Sequence, residues 1–137
     1  MSKLKSELLL MADFALTSRE GKLSIIGIFD RIFVHQTPAK YPRFFIVSSL
    51  SGEENSKHQV ELNLESPDGK KILPAKTMEV TLAANGRANI ITDIANVAFD
   101  QIGEYHLQVY ADDKSIASTP FFVTKVNPPQ ESQKLPN

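Results

Sequence analysis

The chain has 137 residues with a formal net charge of −1, and 42% of them are hydrophobic, so it is long enough to bury a core as a single domain. It contains no cysteine, which excludes a disulfide scaffold, a thiolate metal site and a cysteine nucleophile. The near-neutral charge gives no support for nucleic-acid binding, and no apolar run approaches the roughly 20 residues of a membrane-spanning helix, so we expect a cytoplasmic protein that binds neither nucleic acid nor membrane.

Segments typical of β-strands follow one another along the chain, separated by turn-forming residues, whereas helical periodicity is rare. Strands at such regular spacing predict an all-β fold, either a sandwich or a barrel. The predicted strands cover residues 7–17, 22–34, 43–50, 58–66, 71–73, 77–83, 88–94, 104–111 and 116–125. The segment 127–137 has three prolines and few apolar residues, which predicts a disordered tail after a single domain over 1–126.

The first two predicted strands form a hairpin whose turn contains Gly21, a residue suited to the left-handed conformation that follows a type I turn. A three-residue loop, from Arg19 to Gly21, sets the register of this hairpin. It pairs Leu16 with Ser24, Phe14 with Ile26, Ala12 with Ile28 and Leu10 with Asp30.

Both faces of this hairpin are apolar, although a half-buried strand ordinarily alternates apolar and polar residues. We expect the even-numbered face to be the core side. The odd-numbered face would then leave an apolar patch that is too large for a soluble monomer to expose. This face carries Leu9, Met11, Asp13, Ala15, Ile25, Gly27, Phe29, Arg31 and Phe33.

Three kinds of cover would resolve this excess of apolar surface. The Pro-rich link after the second strand, or the C-terminal tail, could fold over the face. A bulge could swap the parity in the middle of the strand, so that both halves bury against one core. A second subunit or another partner could pack there, with Arg31 and Asp13 pairing to set the register.

The sequence ANGR at 84–87 predicts a second hairpin, between the strands 77–83 and 88–94. We prefer a three-residue loop from Asn85 to Arg87, because burial sets register more strongly than turn propensity and this loop gathers the apolar residues on one face. It pairs Met78 with Ile94, Val80 with Thr92, Leu82 with Ile90 and Ala84 with Ala88.

Residues 90–109, IITDIANVAFDQIGEYHLQV, resemble the region between strands E and F of immunoglobulin-like domains. There an Asp, a Gly and a Tyr follow the apolar residues of one strand, as Asp100, Gly103 and Tyr105 do here. The resemblance implies an immunoglobulin-like antiparallel β-sandwich of about seven to nine strands, with a tyrosine corner in which the phenol bonds to the backbone upstream. The segment from Asp100 to Gly103 is one residue longer than usual, and the chain lacks the Cys and Trp of antibody domains.

The N-terminal half carries a second resemblance. The stretch LLLMADFALTSREGKLSIIGIFDRIF, followed by PAKYPRFFIVSSL, is similar to a family of small bacterial proteins of unknown function. This resemblance implies a bacterial cytosolic origin and an all-β fold, and it implies no particular activity.

No pattern of residues points to catalysis, to a cofactor or to a metal. His35, His58 and His106 match no spacing of metal ligands, and the chain has neither a Gly-rich phosphate loop nor a GxSxG nucleophile motif. We therefore predict no catalytic residue, no cofactor and no bound metal, and we expect that the protein is not an enzyme.

These observations favour a non-enzymatic interaction or scaffold domain. It would form a homo-oligomer, or dock a protein partner, through the N-terminal hairpin, because large apolar residues and Arg dominate interface energetics. The predicted interface residues are Leu9, Met11, Phe29, Arg31 and Phe33. The alternative is a small-ligand-binding sandwich that uses its end loops or a strand face formed by His106, Gln108 and Tyr110.

Overall fold

The computed structural model describes residues 4–126, which fold into nine β-strands. The strands are β1 (Lys5–Thr17), β2 (Leu23–Phe29), β3 (Arg31–Val34), β4 (Ala39–Ser51), β5 (Lys57–Glu65), β6 (Met78–Thr81), β7 (Arg87–Phe99), β8 (Gly103–Ala111) and β9 (Lys114–Lys125). This part of the chain has no helix of the length and apolar character that crossing a membrane requires. The predicted all-β fold is confirmed, and the predicted disordered tail at 127–137 lies outside the described residues.

The strands form two sheets, a four-stranded sheet in the order β2-β1-β4-β7 and a five-stranded sheet in the order β3-β9-β8-β5-β6. All neighbours are antiparallel except β3 and β9, which are parallel. β4 pairs with β7 in one sheet, and β5, β8 and β9 are neighbours in the other. This is the arrangement of strands B and E against C, F and G in immunoglobulin domains, so the fold is an immunoglobulin-like β-sandwich.

The connection between β7 and β8 contains the hydrogen bonds that define a tyrosine corner. The Tyr105 side chain is 1% exposed, and its hydroxyl donates to the carbonyl O of Gln101 at 2.8 Å. Asp100 and Gly103 flank this contact in the chain. The corner fixes the crossing from the four-stranded sheet to the five-stranded sheet.

The core lies between the two sheets and is rich in aromatic residues. Phe99 packs edge-to-face on Tyr105 and lies at 5.8 Å from Phe121, between ring centroids. The largest fully buried side chains are Tyr105, Phe44, Phe99, Phe121, Ile46, Leu50, Leu64, Leu82, Leu107, Val47, Val60 and Val109.

The predicted strand 22–34 is two strands in different sheets, which corrects the sequence-based prediction. β2 belongs to the four-stranded sheet, and after Asp30 the chain crosses to pair as β3 with β9. The buried parity changes at this crossing, from Phe29 to Ile32 and Val34. Part of the apolar excess is therefore resolved by a change of parity, as one of the three predicted covers required. The change comes from a crossing between sheets and not from the predicted bulge within one strand.

The predicted register of the first hairpin is confirmed for Leu16–Ser24, Phe14–Ile26 and Ala12–Ile28, whereas Leu10 and Asp30 are not paired.

The second predicted hairpin is wrong. β6 pairs with β5 and β7 pairs with β4, because the turn between them joins the two sheets. Gly86 in this turn has a φ of 74°, and a Cβ there would lie 2.4 Å from the carbonyl O of Gly52, so the position requires glycine. The predicted strand 71–73 contributes only one bridge, from Lys71 to Glu65.

Candidate functional site

The outer face of the β1–β2 hairpin, on the side of the sheet away from the core, exposes large apolar side chains. Ile26 and Ile28 are 61% and 63% exposed, and Phe14 and Leu16 are 41% and 42% exposed. Phe14 lies directly opposite Ile26 across the hairpin. Single exposed apolar residues are common on protein surfaces, but several large ones side by side mark a binding surface. We call Phe14, Leu16, Ile26 and Ile28 the hairpin face.

The hairpin face adjoins an apolar layer on neighbouring strands, whose central residues are buried. Phe14 and Phe45 make an edge-to-face contact with 5.3 Å between ring centroids. A second buried cluster, separate from the core between the sheets, surrounds this contact. It consists of Ala15, Phe45 and Val47, with Leu8, Leu10, Leu23, Ile25 and Ile91 packed against it. The residues of this cluster support the hairpin face.

An ion pair borders this apolar layer on β4 and β7. Arg43 donates from Nε and Nη2 to the Asp93 carboxylate at 2.9 and 2.6 Å, and its guanidinium lies 5.1 Å from the centroid of the Phe45 ring. The hydrogen bonds from Arg43 hold the pKa of Asp93 below its ordinary value. An exposed ion pair adds little stability, so its main consequence is a polar border beside the apolar layer.

Three of the five predicted interface residues face the core instead of the solvent. Met11 is 2% exposed, and Leu9 and Phe29 pack against the main core. The Phe29 ring contacts those of Phe44 and Phe121, with 6.5 and 6.0 Å between centroids. For these three residues the predicted assignment of the two faces is therefore reversed, whereas Ala15 and Ile25 of the same odd-numbered set lie in the separate cluster around Phe45. The crossing to the second sheet directly after Phe29 places that sheet over Leu9, Met11 and Phe29, at the base of the hairpin.

The other two predicted interface residues, Arg31 and Phe33, lie on β3 at the edge of the five-stranded sheet. Phe33 is 62% exposed, and Arg31 Nε lies 3.9 Å from the carboxylate of Asp30. Asp13 packs instead on Gly27, where a Cβ would meet Asp13 Oδ2 at 2.4 Å. An Arg31–Asp13 pair between subunits thus remains a prediction.

The alternative site, formed by His106, Gln108 and Tyr110 on β8, is occupied by contacts within the chain. His106 Nε2 lies 2.9 Å from Glu104 Oε2, and Gln108 donates to Glu65 at 3.4 Å. Tyr110 donates a short hydrogen bond to the same Glu65 carboxylate. The three side chains therefore have partners on neighbouring positions of their own sheet.

The surroundings of Tyr110 keep its hydroxyl protonated. Burial, together with the hydrogen bond to Glu65, raises the pKa of Tyr110 to about 12. Lys71 Nζ lies 4.3 Å from the centroid of the Tyr110 ring and 3.2 Å from Glu61 Oε1. Because these groups satisfy one another, none of their contacts requires a ligand.

Sequence reasoning missed a network that joins the β4–β5 loop to the turn between β8 and β9. His58 Nδ1 lies 3.0 Å from Asp112 Oδ2, and His58 Nε2 lies 2.9 Å from Ser56 Oγ. Asp112 also accepts a hydrogen bond from the backbone N of Gln59 at 3.0 Å. The hydrogen bond from the Gln59 backbone has the largest effect in lowering the pKa of the Asp112 carboxyl, and the hydrogen bond with His58 lowers it further. The sequence carries no signal for this contact, since Asp112 and His58 are 54 positions apart.

This network has the order of a Ser–His–Asp relay, but its hydroxyl is engaged elsewhere. Ser56 Oγ donates to the carbonyl O of Glu53 at 2.7 Å. The N–H groups of Ser56 and Asn55 are bonded to the carbonyls of Glu53 and Ala83 and are not available to an oxyanion. The arrangement therefore fastens a loop to a turn and lacks the parts of an acyl-transfer site.

Two adjoining clefts lie between the segment that follows β5 and the strand β7. The larger has a volume of about 580 Å³ and is lined by charged and apolar groups, among them Lys70, Asp100 and Tyr105. The smaller, of about 240 Å³, is mostly apolar and includes Thr92, whose buried Oγ1 has no hydrogen-bond partner within the described chain. Within residues 4–126, no three His, Asp or Glu side chains come together as a metal site would require.

Solved structures with a similar fold include parts of two larger enzymes. The Pseudomonas fluorescens alkylpurine DNA glycosylase AlkC, bound to DNA containing an abasic site analog, has a TM-score of 0.55 and 13% identity over 88% of this chain and 30% of that chain. The Listeria innocua β-glucosidase in complex with isofagomine has a TM-score of 0.52 and 8% identity over 93% of this chain and 16% of that chain. The chain thus spans only a part of each enzyme, and at these identities the likeness shows the fold alone.

An immunoglobulin-like protein from Pseudomonas aeruginosa covers 88% of this chain and 96% of its own length, with a TM-score of 0.40 and 16% identity. No curated protein matches the sequence. A family model described as "Family of unknown function (DUF6941)" matches residues 7–124.

Proposed function

Since the chain belongs to the family of unknown function DUF6941, we propose from its surface alone that it is a non-enzymatic interaction domain, which binds a protein through the hairpin face. One observation carries this proposal. Phe14, Leu16, Ile26 and Ile28 lie together on one face and are between 41% and 63% exposed. Apolar surface of this kind is removed from water when a protein packs on it, which contributes about 25 cal/mol per Å² towards binding, before the entropic costs of association are subtracted.

The surroundings of the hairpin face support the same proposal. Stable interfaces have an apolar centre and a polar rim. Here the apolar layer that begins at Phe14 and Phe45 is bordered by the Arg43–Asp93 ion pair. The face is also rigidly supported, because it is built on paired strands, and a rigid surface loses less conformational entropy on binding.

The polar groups elsewhere on the described surface give less support to the alternative of a small-ligand site. The side chains of His106, Gln108 and Tyr110 have partners within the chain, and the Ser56–His58–Asp112 network is likewise engaged. The proposal accordingly assigns no catalytic residue and no cofactor. It retains the cytoplasmic location that the sequence led us to expect.

The test compares substitutions of equal exposure inside and outside the hairpin face. Leu16→Asp places a charge in the face, and Ile102→Asp places one at a residue of the β7–β8 connection that is 43% exposed. The wild type and both variants are used in affinity capture from cells with quantitative mass spectrometry, and the purified proteins are studied by sedimentation velocity. Circular dichroism first establishes that all three are folded.

We expect at least one associated species, either a foreign protein or a second copy, that is retained by the wild type and by Ile102→Asp. The same species should be reduced at least about ten-fold with Leu16→Asp, because a buried unpaired charge opposes binding. Association that is the same for the two variants, or no specific association with the wild type, would overturn the proposal.

A further inference from the structure

The strand β2 has an open edge that can accept another strand. It is the outermost strand of the four-stranded sheet among the described residues. Ser18 N donates to Lys22 O at 2.8 Å, which makes these two residues a hydrogen-bonded pair. Such pairs alternate along an antiparallel ladder, so the even-numbered residues of β2 direct their backbone groups to β1, and Leu23, Ile25 and Phe29 direct theirs to the open edge. Gly27, with a φ of 71°, departs from this alternation.

The other three edges of the two sheets formed by residues 4–126 carry features that oppose strand addition. β3 and β6 have only four residues each and include Arg31 and Glu79. β7 includes Asp93 and a non-glycine residue with positive φ, Asn96. Natural proteins protect their edges with short strands, charges, prolines and backbone irregularities. β2 has the positive φ of Gly27 as its one backbone irregularity, but it has neither a charge nor a proline from Leu23 to Phe29, so its protection is the weakest of the four.

We propose that the protein bound at the hairpin face is a second copy of this chain, whose β2 adds antiparallel to the first β2 with Ile26 opposite Ile26. This inference rests on the proposed function, because the hairpin face and the open edge belong to the same strand. The pairing joins two four-stranded sheets into one continuous sheet around a two-fold axis. The exposed side chains Ile26 and Ile28 of both copies then lie side by side on one face of the joined sheet and contact one another across the new strand pair.

Charge complementarity favours a second copy in this particular register. Lys22 immediately precedes the charge-free strand, and Asp30 immediately follows it. With Ile26 at the centre, Lys22 of each copy faces Asp30 of the other, which gives two ion pairs. The Asp30 side chain is 72% exposed, with Arg31 Nε of its own chain at 3.9 Å, and Lys22 is also exposed, so the two side chains are accessible to a second copy. The next register with matching backbone groups, centred on Gly27, would instead set Asp30 opposite Ser24.

Gly27 is the one irregular residue of this strand, and the register accommodates it. Its φ is 71°, and Asp13 packs against the position that a Cβ would occupy. In the proposed pairing Gly27 lies opposite Ile25 of the other copy. A glycine has no side chain to hinder the approach of the second strand.

The experiment reverses the two end charges separately and then combines the variants. In Lys22→Glu and in Asp30→Lys, each homodimer would contain two like-charged contacts. In an equimolar mixture, a heterodimer would restore two contacts of opposite charge. Lys57→Glu, an exposed lysine on β5, is the control with the same change of net charge as Lys22→Glu. Sedimentation velocity at low salt, where exposed ion pairs are least screened, measures the dimer dissociation constant.

We expect the wild type and Lys57→Glu to dimerise, each single reversal to raise the dissociation constant about ten-fold, and the mixture to return it close to the wild-type value. A wild type that stays monomeric at millimolar concentration would overturn the proposal. So would a dimer whose affinity does not respond to the two reversals or to their mixture. In either case the proposed function is decided separately, by whether Leu16→Asp removes a foreign protein that Ile102→Asp retains.

Discussion

The hydroxyl of Tyr105 joins both backbone groups of Gln101, donating to the carbonyl O at 2.8 Å and accepting from the N at 3.2 Å. Tyr105→Phe should lower the free energy of unfolding by about 1 kcal/mol, because it leaves these groups without their partner while keeping the ring packed on Phe99. Urea unfolding measures the change. Tyr41→Phe is the control, since no hydrogen bond to its hydroxyl is found within residues 4–126, and it should cost less. Equal losses for the two variants would show that the corner adds no stability.

The burial of Met11 and the exposure of Ile28 predict very different losses of stability when each is replaced by alanine. Met11→Ala should lower the free energy of unfolding by about 2–5 kcal/mol, because Met11 is 2% exposed and its removal leaves a cavity. Ile28→Ala should cost less than about 1 kcal/mol, since Ile28 is 63% exposed. Denaturant unfolding at a protein concentration below any self-association compares them. A larger cost for Ile28→Ala would restore the face assignment that the sequence suggested.

The predicted assignment of the hairpin faces failed although the predicted register was largely correct. The register of the first hairpin followed correctly from its turn, since Phe14 does lie opposite Ile26. Which face is buried depends instead on where the chain goes after Phe29, and a sequence with apolar residues at both parities does not contain that information. The crossing at Asp30 decides it, by placing β3 in the second sheet.

The prediction of the second hairpin failed for a related reason. The ANGR turn exists, with Gly86 N donating to Ala83 O at 2.9 Å, but β6 and β7 diverge into different sheets. A turn predicts a local reversal of the chain, whereas sheet membership depends on contacts far apart in sequence. The Ser56–His58–Asp112 network was unpredictable on the same ground, because its distant members meet only after the sheets have formed.

The hydroxyl of the half-buried Thr92, which has no hydrogen-bond partner among the described residues, predicts an unusually mild effect of its removal. Its Oγ1 is buried without a hydrogen-bond partner in the described chain, and valine has nearly the same shape. Thr92→Val should leave the free energy of unfolding unchanged or raise it by up to about 1 kcal/mol, because it removes a desolvated polar group. Thermal and urea unfolding test this. A loss of more than about 1 kcal/mol would mean that the hydroxyl has a hydrogen-bond partner in solution.

The lowered pKa of Asp112 predicts how the loop network depends on pH. The ionised carboxylate favours the folded state, so its contribution is complete above the ordinary carboxyl pKa of about 3.9 and is lost as the pH falls through the lowered pKa of the folded protein. Asp112→Asn should therefore be less stable than the wild type at pH 7, and this difference should shrink below about pH 4.

Asparagine suits this test because it tolerates the positive φ of 50° at position 112. Asp113→Asn, with the same loss of charge in the same turn, is the control and should show a smaller difference at pH 7. Unfolding by urea at a series of pH values gives both comparisons. A difference between Asp112→Asn and the wild type that is constant from pH 7 to pH 3 would contradict the linkage.

The measurement that tests the hairpin face most directly is site-specific photo-crosslinking in living cells. A benzophenone amino acid replaces Ile28 in one protein and Ile102 in another, so that the same reactive group sits inside and outside the face. We expect a discrete crosslinked product from position 28, with either a second copy or a foreign protein, and none of comparable yield from position 102. No product from position 28, or equal products from both positions, would contradict the claim that this face binds a protein.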